Sequence, residues 1–108
     1  MLFRSWRGAG STLPRQVQLE ANYPNPFNPQ TVIPFVVPAR AQAVNLAVYN
    51  GVGQMVRELL NNAVMAPGRH EIVWDGRDAN GSTVSSGVYI YRLQTDEITS
   101  VRRMTLLK

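Results

Sequence analysis

His70, the single histidine of the chain, is the natural candidate for acid–base chemistry near neutral pH. It is followed by Glu71 in a segment that alternates like a strand, where neighbouring side chains point to opposite faces of the sheet. The two side chains therefore cannot act on the same atom of a substrate. Because the chain also has no cysteine, we interpret His70 as a half-buried or surface strand residue and expect neither a histidine-rich nor a cysteine-ligated metal site.

An acidic loop from Asp75 to Gly81 carries oxygen ligands of the kind that calcium prefers. It does not fit an EF-hand in either register, since counting from Asp75 the third position is Arg77, where an acid or amide is required. An irregular cation site made by Asp75, Asp78 and Asn80 is left open as an alternative, and no cofactor is predicted. The preferred interpretation is that these side chains cap the loop backbone while its glycines adopt positive φ.

Three strand aromatics, Trp74, Tyr89 and Tyr91, could in principle form a stacking platform for sugars. At alternating strand positions such residues are more often part of the core, which is the interpretation we prefer. The net charge of +4 rests on scattered arginines, and no stretch interleaves aromatic and basic residues as a nucleic-acid platform does. We therefore predict no nucleic-acid partner and, without a nucleophile and base, no enzymatic activity.

The elements that position these residues are short strands. A strand over Thr31–Val37 contains Pro34, which predicts an edge or a bulge. The segment Gln54–Leu60 could form one face of a short helix, but the turn residues Asn50–Gly53 before it favour the returning strand of a hairpin. Spacing of about ten residues predicts an all-β, immunoglobulin-like antiparallel β-sandwich of about seven strands. The other predicted strands are Ala43–Tyr49, Arg69–Trp74, Val88–Gln94 and Ile98–Leu107, with Phe35, Leu46, Trp74 and Tyr89 in the core.

Length and composition indicate one folded domain. The chain has 108 residues, of which 44% are hydrophobic and 17% charged, as in ordinary globular domains. We interpret residues 1–16 as a linker or flexible N-terminal remnant and residues 17–108 as the domain. No apolar run is long enough for a membrane span, and the N-terminal residues do not form a signal peptide.

The octapeptide NYPNPFNP, from Asn22 to Pro29, is the most constrained segment of the chain. Its three prolines fix their own φ angles, remove three backbone donors and push the preceding residues out of the helical region. The segment is therefore neither helix nor central strand. We predict a stiff lead-in at which a linker ends and the sandwich begins, with Tyr23 and Phe27 as its anchors.

Taken in order, the octapeptide, VYNGVGQMVREL, PGRHEIVWDGRDANG and SGVYIYRL resemble the type A C-terminal sorting domain of the type IX secretion system. The immunoglobulin-like domain of flagellar hook-capping proteins is similar to the later part of this series. The resemblance extends over Val17–Lys108. The residues that carry the motifs are Asn22, Pro24, Asn25, Pro26, Phe27, Asn28, Pro29, Trp74, Asp75, Gly76, Asp78, Gly81, Gly87 and Tyr89.

The resemblance implies a non-catalytic module at the C-terminus of a secreted cargo protein. Such a module is recognised by the outer-membrane secretion machinery and removed by a sortase-like protease while the N-terminal cargo domain is attached to the cell surface. Since 16 residues precede the region of resemblance, the chain is interpreted as a piece of a longer precursor or as an orphan reading frame. The alternatives are a structural assembly module like the hook-capping domain and an accessory carbohydrate-binding module of a secreted hydrolase.

We expect the end of the chain to be the part that the secretion machinery recognises. Arg102, Arg103 and Lys108 are predicted to form this end together with the final strand, which includes Met104 and Leu106. A last strand and a free carboxylate are features that a receptor can bind by strand addition or carboxylate capture.

Overall fold

Residues 16–108 are described by the computed structural model, and they form seven strands in two antiparallel sheets without a helix. The strand order is β1-β2-β5 in the three-stranded sheet and β4-β3-β6-β7 in the four-stranded sheet. The predicted all-β sandwich is thus confirmed. No helix in this part of the chain could cross a membrane. The strands are β1 (Gln18–Leu19), β2 (Thr31–Val37), β3 (Gln42–Tyr49), β4 (Met55–Met65), β5 (Gly68–Trp74), β6 (Gly87–Gln94) and β7 (Thr99–Leu106).

The core lies between the sheets and follows the period-two alternation of the strands. The four core residues predicted from the sequence are all buried, which confirms that assignment. Burial of the aromatic side chains supplies much of the apolar surface that a domain of this size can remove from water. The fully buried side chains are Trp74, Tyr91, Phe27, Phe35, Ile33, Leu46, Leu93, Met104, Leu106, Val37, Val44 and Val48.

The prediction that Pro34 places its strand at an edge or a bulge is wrong. Strand β2 lies between β1 and β5, and its register with β5 is continuous. The carbonyl of Pro34 accepts the Glu20 N–H at 3.0 Å, so the backbone groups of Pro34 face β1 and not β5. The N–H that Pro34 lacks would have pointed toward the Glu20 carbonyl, just after the end of β1. The Tyr91 hydroxyl donates to that carbonyl instead, at 2.8 Å.

Strand β4 confirms the strand interpretation of its segment but is longer than predicted, since it ends at Met65. Its register with β3 shifts three times, and each shift places extra β4 residues opposite β3. Leu59 and Leu60 can both pack against the core because such bulges interrupt the alternation. The helix-like spacing of apolar residues in this segment is thus produced by bulges in a strand.

The chain enters the sandwich before the octapeptide, which corrects the prediction of a lead-in. Val17 is buried, and β1 pairs with β2 over Gln18 and Leu19. Two paired residues are too few to produce a recognisable alternation, so the sequence gives no sign of β1. The predicted linker over residues 1–16 lies outside the described residues except for Gln16.

Candidate functional site

The octapeptide carries the chain from one sheet to the other. At its start, Tyr23 exchanges two backbone hydrogen bonds with Val32 of β2, at 3.0 and 2.8 Å. Four residues later, the Phe27 N–H donates to the Thr105 carbonyl at 2.9 Å, and the Phe27 carbonyl accepts the Leu107 N–H at 3.0 Å. The segment therefore ties the three-stranded sheet to the end of β7, which belongs to the four-stranded sheet.

The two predicted anchors hold the octapeptide in different ways. Phe27 is 2% exposed, and its ring centroid lies 5.7 Å from that of Trp74, which in turn meets Tyr89 edge-on at 5.5 Å. Tyr23 is 44% exposed, and its hydroxyl donates to the carboxylate of Glu71. Phe27 is thus an anchor in the core, whereas Tyr23 is held at the surface by polar contacts.

A close backbone approach connects the octapeptide to the acidic loop. Gly76 has a φ of 76°, and a Cβ atom built there would lie 2.6 Å from the Pro29 carbonyl oxygen. A side chain at this position would therefore be strained and would collide with backbone. The glycine after the tryptophan and aspartate in the motif is what lets the end of the octapeptide pack against the loop.

The side chains of the acidic loop are used to hold the loop itself. Asp75 Oδ1 accepts the Arg77 N–H at 3.0 Å and pairs with Arg57 at 3.3 Å. Asp78 Oδ1 accepts the N–H groups of Asn80 and Ser82, at 2.9 and 3.0 Å. Between residues 16 and 108 no three His, Asp or Glu side chains are grouped as metal ligands would be. These bonds confirm the interpretation that the loop carboxylates cap the loop backbone.

A buried polar latch fixes the start of the octapeptide. The Tyr91 hydroxyl accepts the Asn22 N–H at 2.9 Å while it donates to Glu20. The Asn22 amide donates to Thr31 Oγ1 at 3.0 Å. Burial raises the pKa of Tyr91, and the Asn22 N–H and the charge of Arg102 partly oppose this rise. The hydroxyl is therefore neutral across the physiological range and free to donate.

An exposed charge network lies on the outer face of the three-stranded sheet. Arg69 pairs with Glu20 at 2.5 Å and with Glu71 at 3.4 Å, and Glu71 also accepts the hydroxyl of Tyr23. This hydroxyl bond, together with Arg69, lowers the pKa of Glu71, and the same bond raises the pKa of Tyr23. The network joins Glu20, directly after β1, to β5 and to the octapeptide.

The five residues expected to form a recognised end do not share one surface. Met104 and Leu106 are buried at 1% and 0% exposure, so a receptor that binds the folded domain cannot touch their side chains. Arg102 reaches back to β1, where its Nε donates to the Leu19 carbonyl at 3.0 Å. Arg103 and Lys108 are exposed. The alternation of polar and apolar residues from 103 to 106 is the signal from which this burial could have been predicted.

The remaining candidates for chemistry have structural roles. His70 Nε2 lies 2.7 Å from the Ala66 carbonyl oxygen, and its ring stacks on Phe35 with centroids 5.4 Å apart. Trp74, Tyr89 and Tyr91 are at most 5% exposed, so none of them offers a ring face to a sugar. The prediction that these aromatics belong to the core is confirmed.

Comparison with known families shows a match over most of the described chain. The model of the FlgD Ig-like domain matches residues 27–97. Solved structures of flagellar proteins are also similar. FlgD from P. aeruginosa is 27% identical with a TM-score of 0.55, and the match covers 70% of this chain and 59% of that protein. FlgD from Xanthomonas campestris, described as giving insights into the hook capping essential for flagellar assembly, is 24% identical with a TM-score of 0.53, covering 86% and 63%.

Two further structures share the fold. PorU from Porphyromonas gingivalis, in its dimeric latent form, is 18% identical with a TM-score of 0.70, and the match covers 84% of this chain but 9% of PorU. PorZ from the same organism is described as an essential surface component of the type-IX secretion system. It is 17% identical with a TM-score of 0.57, and the match covers 82% of this chain and 11% of PorZ. The chain spans less than two thirds of each of these four structures. No curated protein matches it significantly.

Proposed function

Because the chain belongs to the FlgD Ig-like domain family, we propose that it is a non-catalytic assembly module, which acts by protein–protein contact as part of an exported bacterial structure. The observation that carries this proposal is the family match over residues 27–97, which includes strands β2 to β6. The internal use of the polar side chains supports it, since the loop carboxylates cap backbone and His70 contacts a carbonyl. Such a module binds its partner through the shape of its surface and the edges of its sheets, and not through reactive side chains.

A second candidate is the sorting function in type IX secretion. The octapeptide favours it, since this motif of the sorting-domain resemblance is joined by hydrogen bonds to the last residues of the chain. One folded unit would then present both motifs to a receptor. Under this proposal the partners are the outer-membrane secretion machinery and a sortase-like protease, an N-terminal cargo domain precedes the module, and the cargo reaches the cell surface through the periplasm.

Two reciprocal fusions separate these candidates. In the first, residues 17–108 replace the Ig-like domain of a hook-capping protein, and hook assembly and motility are measured. In the second, the same residues follow a signal peptide and a reporter in a bacterium with type IX secretion, and reporter on the cell surface is measured. The assembly proposal predicts hooks in the first and retained reporter in the second, and the reverse result favours sorting. If both fusions fold and neither result appears, both candidates are wrong.

Point variants test the end of the chain better than a deletion does. Removing Ser100–Lys108 would take away Met104 and Leu106, which belong to the core, so loss of secretion would report unfolding. Charge reversal at the exposed residues Arg103 and Lys108 leaves the core intact. If the sorting proposal holds, this double variant loses surface reporter. Its free energy of unfolding changes by no more than about 0.5 kcal/mol, as is usual for surface substitutions. Undiminished export would exclude these two side chains from recognition.

A further inference from the structure

Strand β7 forms one edge of the four-stranded sheet, and its C-terminal half is already covered. In a strand, the backbone N–H and C=O of alternate residues point to the same side. The outward groups of Thr105 are taken by the octapeptide, since its N–H donates to Asn25 Oδ1 at 3.0 Å and its carbonyl accepts the Phe27 N–H. The outward N–H of Leu107 donates to Phe27 as well.

Within residues 16–108, the N-terminal half of the same edge has no such cover. By the same alternation, the backbone groups of Val101 and Arg103 point outward beside those of Thr105. Neither residue makes an outward backbone hydrogen bond with another residue in the range 16–108. Val101 and Arg103 therefore present two donors and two acceptors in strand geometry, with Val101 59% exposed.

A groove runs beside this open segment. It lies between β1 and the start of β7, and its lining includes Val17, Leu19, Ile98, Ser100 and Arg102. Strand β1 of the neighbouring sheet approaches β7 here, but it pairs only two residues with β2. Alternate side chains of an added strand would enter the groove, where Leu19 and Ile98 are apolar.

The charge at the groove is positive and unpaired. The three ion pairs among the described residues are made by Arg57 and Arg69. Arg102 and Arg103 therefore have no carboxylate partner among these residues. Arg102 uses its Nε on the Leu19 carbonyl and keeps its other guanidinium donors. A segment that carries Asp or Glu beside apolar residues would complement this charge.

The other two long edges are less suited to accept a strand. Edge strand β4 is interrupted by bulges, and the Val56 carbonyl already accepts the Ala79 N–H at 3.2 Å. Edge strand β5 carries Arg69, which forms ion pairs with Glu71 of the same strand and with Glu20. Bulges discourage strand addition, and a strand added at β5 would lie beside side chains that are already held in ion pairs.

We propose that Thr99–Arg103 of β7 is a strand-addition site for an extended acidic segment of the partner protein. The inference rests on the assembly function proposed above, because it names the surface through which the module holds its partner. The added strand donates to and accepts from Val101 and Arg103, places apolar side chains in the groove and meets the two arginines with its carboxylates. The octapeptide stops the added strand at Thr105.

The test uses the full chain and synthetic peptides of alternating valine and glutamate, with a valine–lysine peptide of equal length as the charge control. Amide hydrogen exchange is followed residue by residue with and without peptide. The acidic peptide is expected to slow exchange at Val101 and Arg103 by tenfold or more and to leave Val73 unchanged. No slowing, equal slowing by the basic peptide, or slowing at Val73 overturns the proposal, as does protection of Val101 that grows with protein concentration alone.

A matched pair of proline variants removes single outward donors. Val101→Pro deletes an N–H that faces away from β6, and Val73→Pro deletes one that faces away from β2, at positions of similar exposure (59% and 51%). Val101→Pro is expected to weaken binding of the acidic peptide at least tenfold, and Val73→Pro to leave it unchanged. Equal binding by both variants overturns the proposal. Peptide binding is measured on the wild-type chain and does not depend on the outcome of the fusion experiments. The strand-addition site and the assembly function can therefore fail separately.

Discussion

The two halves of strand β7 differ in almost every respect although they share one strand. The C-terminal half buries Met104 and Leu106 and is hydrogen-bonded on both sides, to β6 and to the octapeptide. The N-terminal half is bonded to β6 and exposes Val101. What separates them is the point at which the octapeptide crosses between the sheets. A proline-rich segment can thus determine which part of a sheet edge stays available to a partner.

The largest difference between the halves is expected in their packing. Phe27→Ala removes a ring that is 2% exposed and packed on Trp74, and should lower the free energy of unfolding by about 3–5 kcal/mol. Val101→Ala is the matched control in the open half and should change it by less than about 0.5 kcal/mol. Chemical denaturation measures both. Similar values for the two variants would mean that the halves do not differ in packing.

A second prediction concerns the contact between the octapeptide and the acidic loop. Gly76→Ala places a Cβ 2.6 Å from the Pro29 carbonyl oxygen at positive φ, whereas Gly81→Ala at φ 84° meets nothing within 4 Å. The left-handed conformation alone costs about 1–2 kcal/mol. Gly81→Ala should lower the unfolding free energy by about that much, and Gly76→Ala by more. Equal losses would show that the approach of Pro29 contributes nothing.

A third prediction concerns the latch at the start of the octapeptide. Tyr91→Phe leaves the buried Asn22 N–H without its acceptor and the Glu20 carbonyl without its hydroxyl donor. An unsatisfied buried group costs about 1–3 kcal/mol, which denaturation should detect. Tyr49→Phe is the control, since the Tyr49 ring stacks under Arg92 on the sheet surface. A loss no greater than that of the control would mean that the latch does not hold the segment.

The smallest effect is expected from the exposed network on the other sheet. Since the folded-state pKa of Glu71 is lowered by the Tyr23 hydroxyl and Arg69, its contribution to stability is present above its unfolded pKa of about 4.3 and is lost as the pH falls through the folded value. Glu71→Gln should therefore reduce the drop in unfolding midpoint between pH 6 and pH 3. An unchanged drop would show that the network contributes nothing measurable, as is common for exposed pairs.

The sequence predicts the elements of this fold better than their edges. The alternation over Thr31–Val37 and the burial of Phe35 and Trp74 follow from period two and were correctly predicted. The central position of β2 was not, because Pro34 shows that one N–H is missing but not which neighbour that N–H would have faced. The two-residue strand β1 is too short for any pattern to reveal.

The candidate site shows the same division. The prolines of the octapeptide predict stiffness, which stays a prediction, whereas the predicted anchoring role of Phe27 is confirmed by its burial. The octapeptide crosses at the point where Phe27 pairs with Thr105 and Leu107, almost eighty residues away in the chain. No local sequence pattern predicts this pairing. The glycine at position 76 was recognisable as a motif residue, but the backbone oxygen it accommodates was not.

Residue-resolved amide hydrogen exchange of the isolated chain tests most directly whether the octapeptide covers one half of β7 and leaves the other open. We expect slow exchange at Thr105 and Leu107, whose N–H groups are held by Asn25 and Phe27, and fast exchange at Val101 and Arg103. Phe27→Ala should accelerate the first pair toward the second. Equal protection along the outward edge of β7, or fast exchange at Thr105 in the wild-type chain, would contradict it.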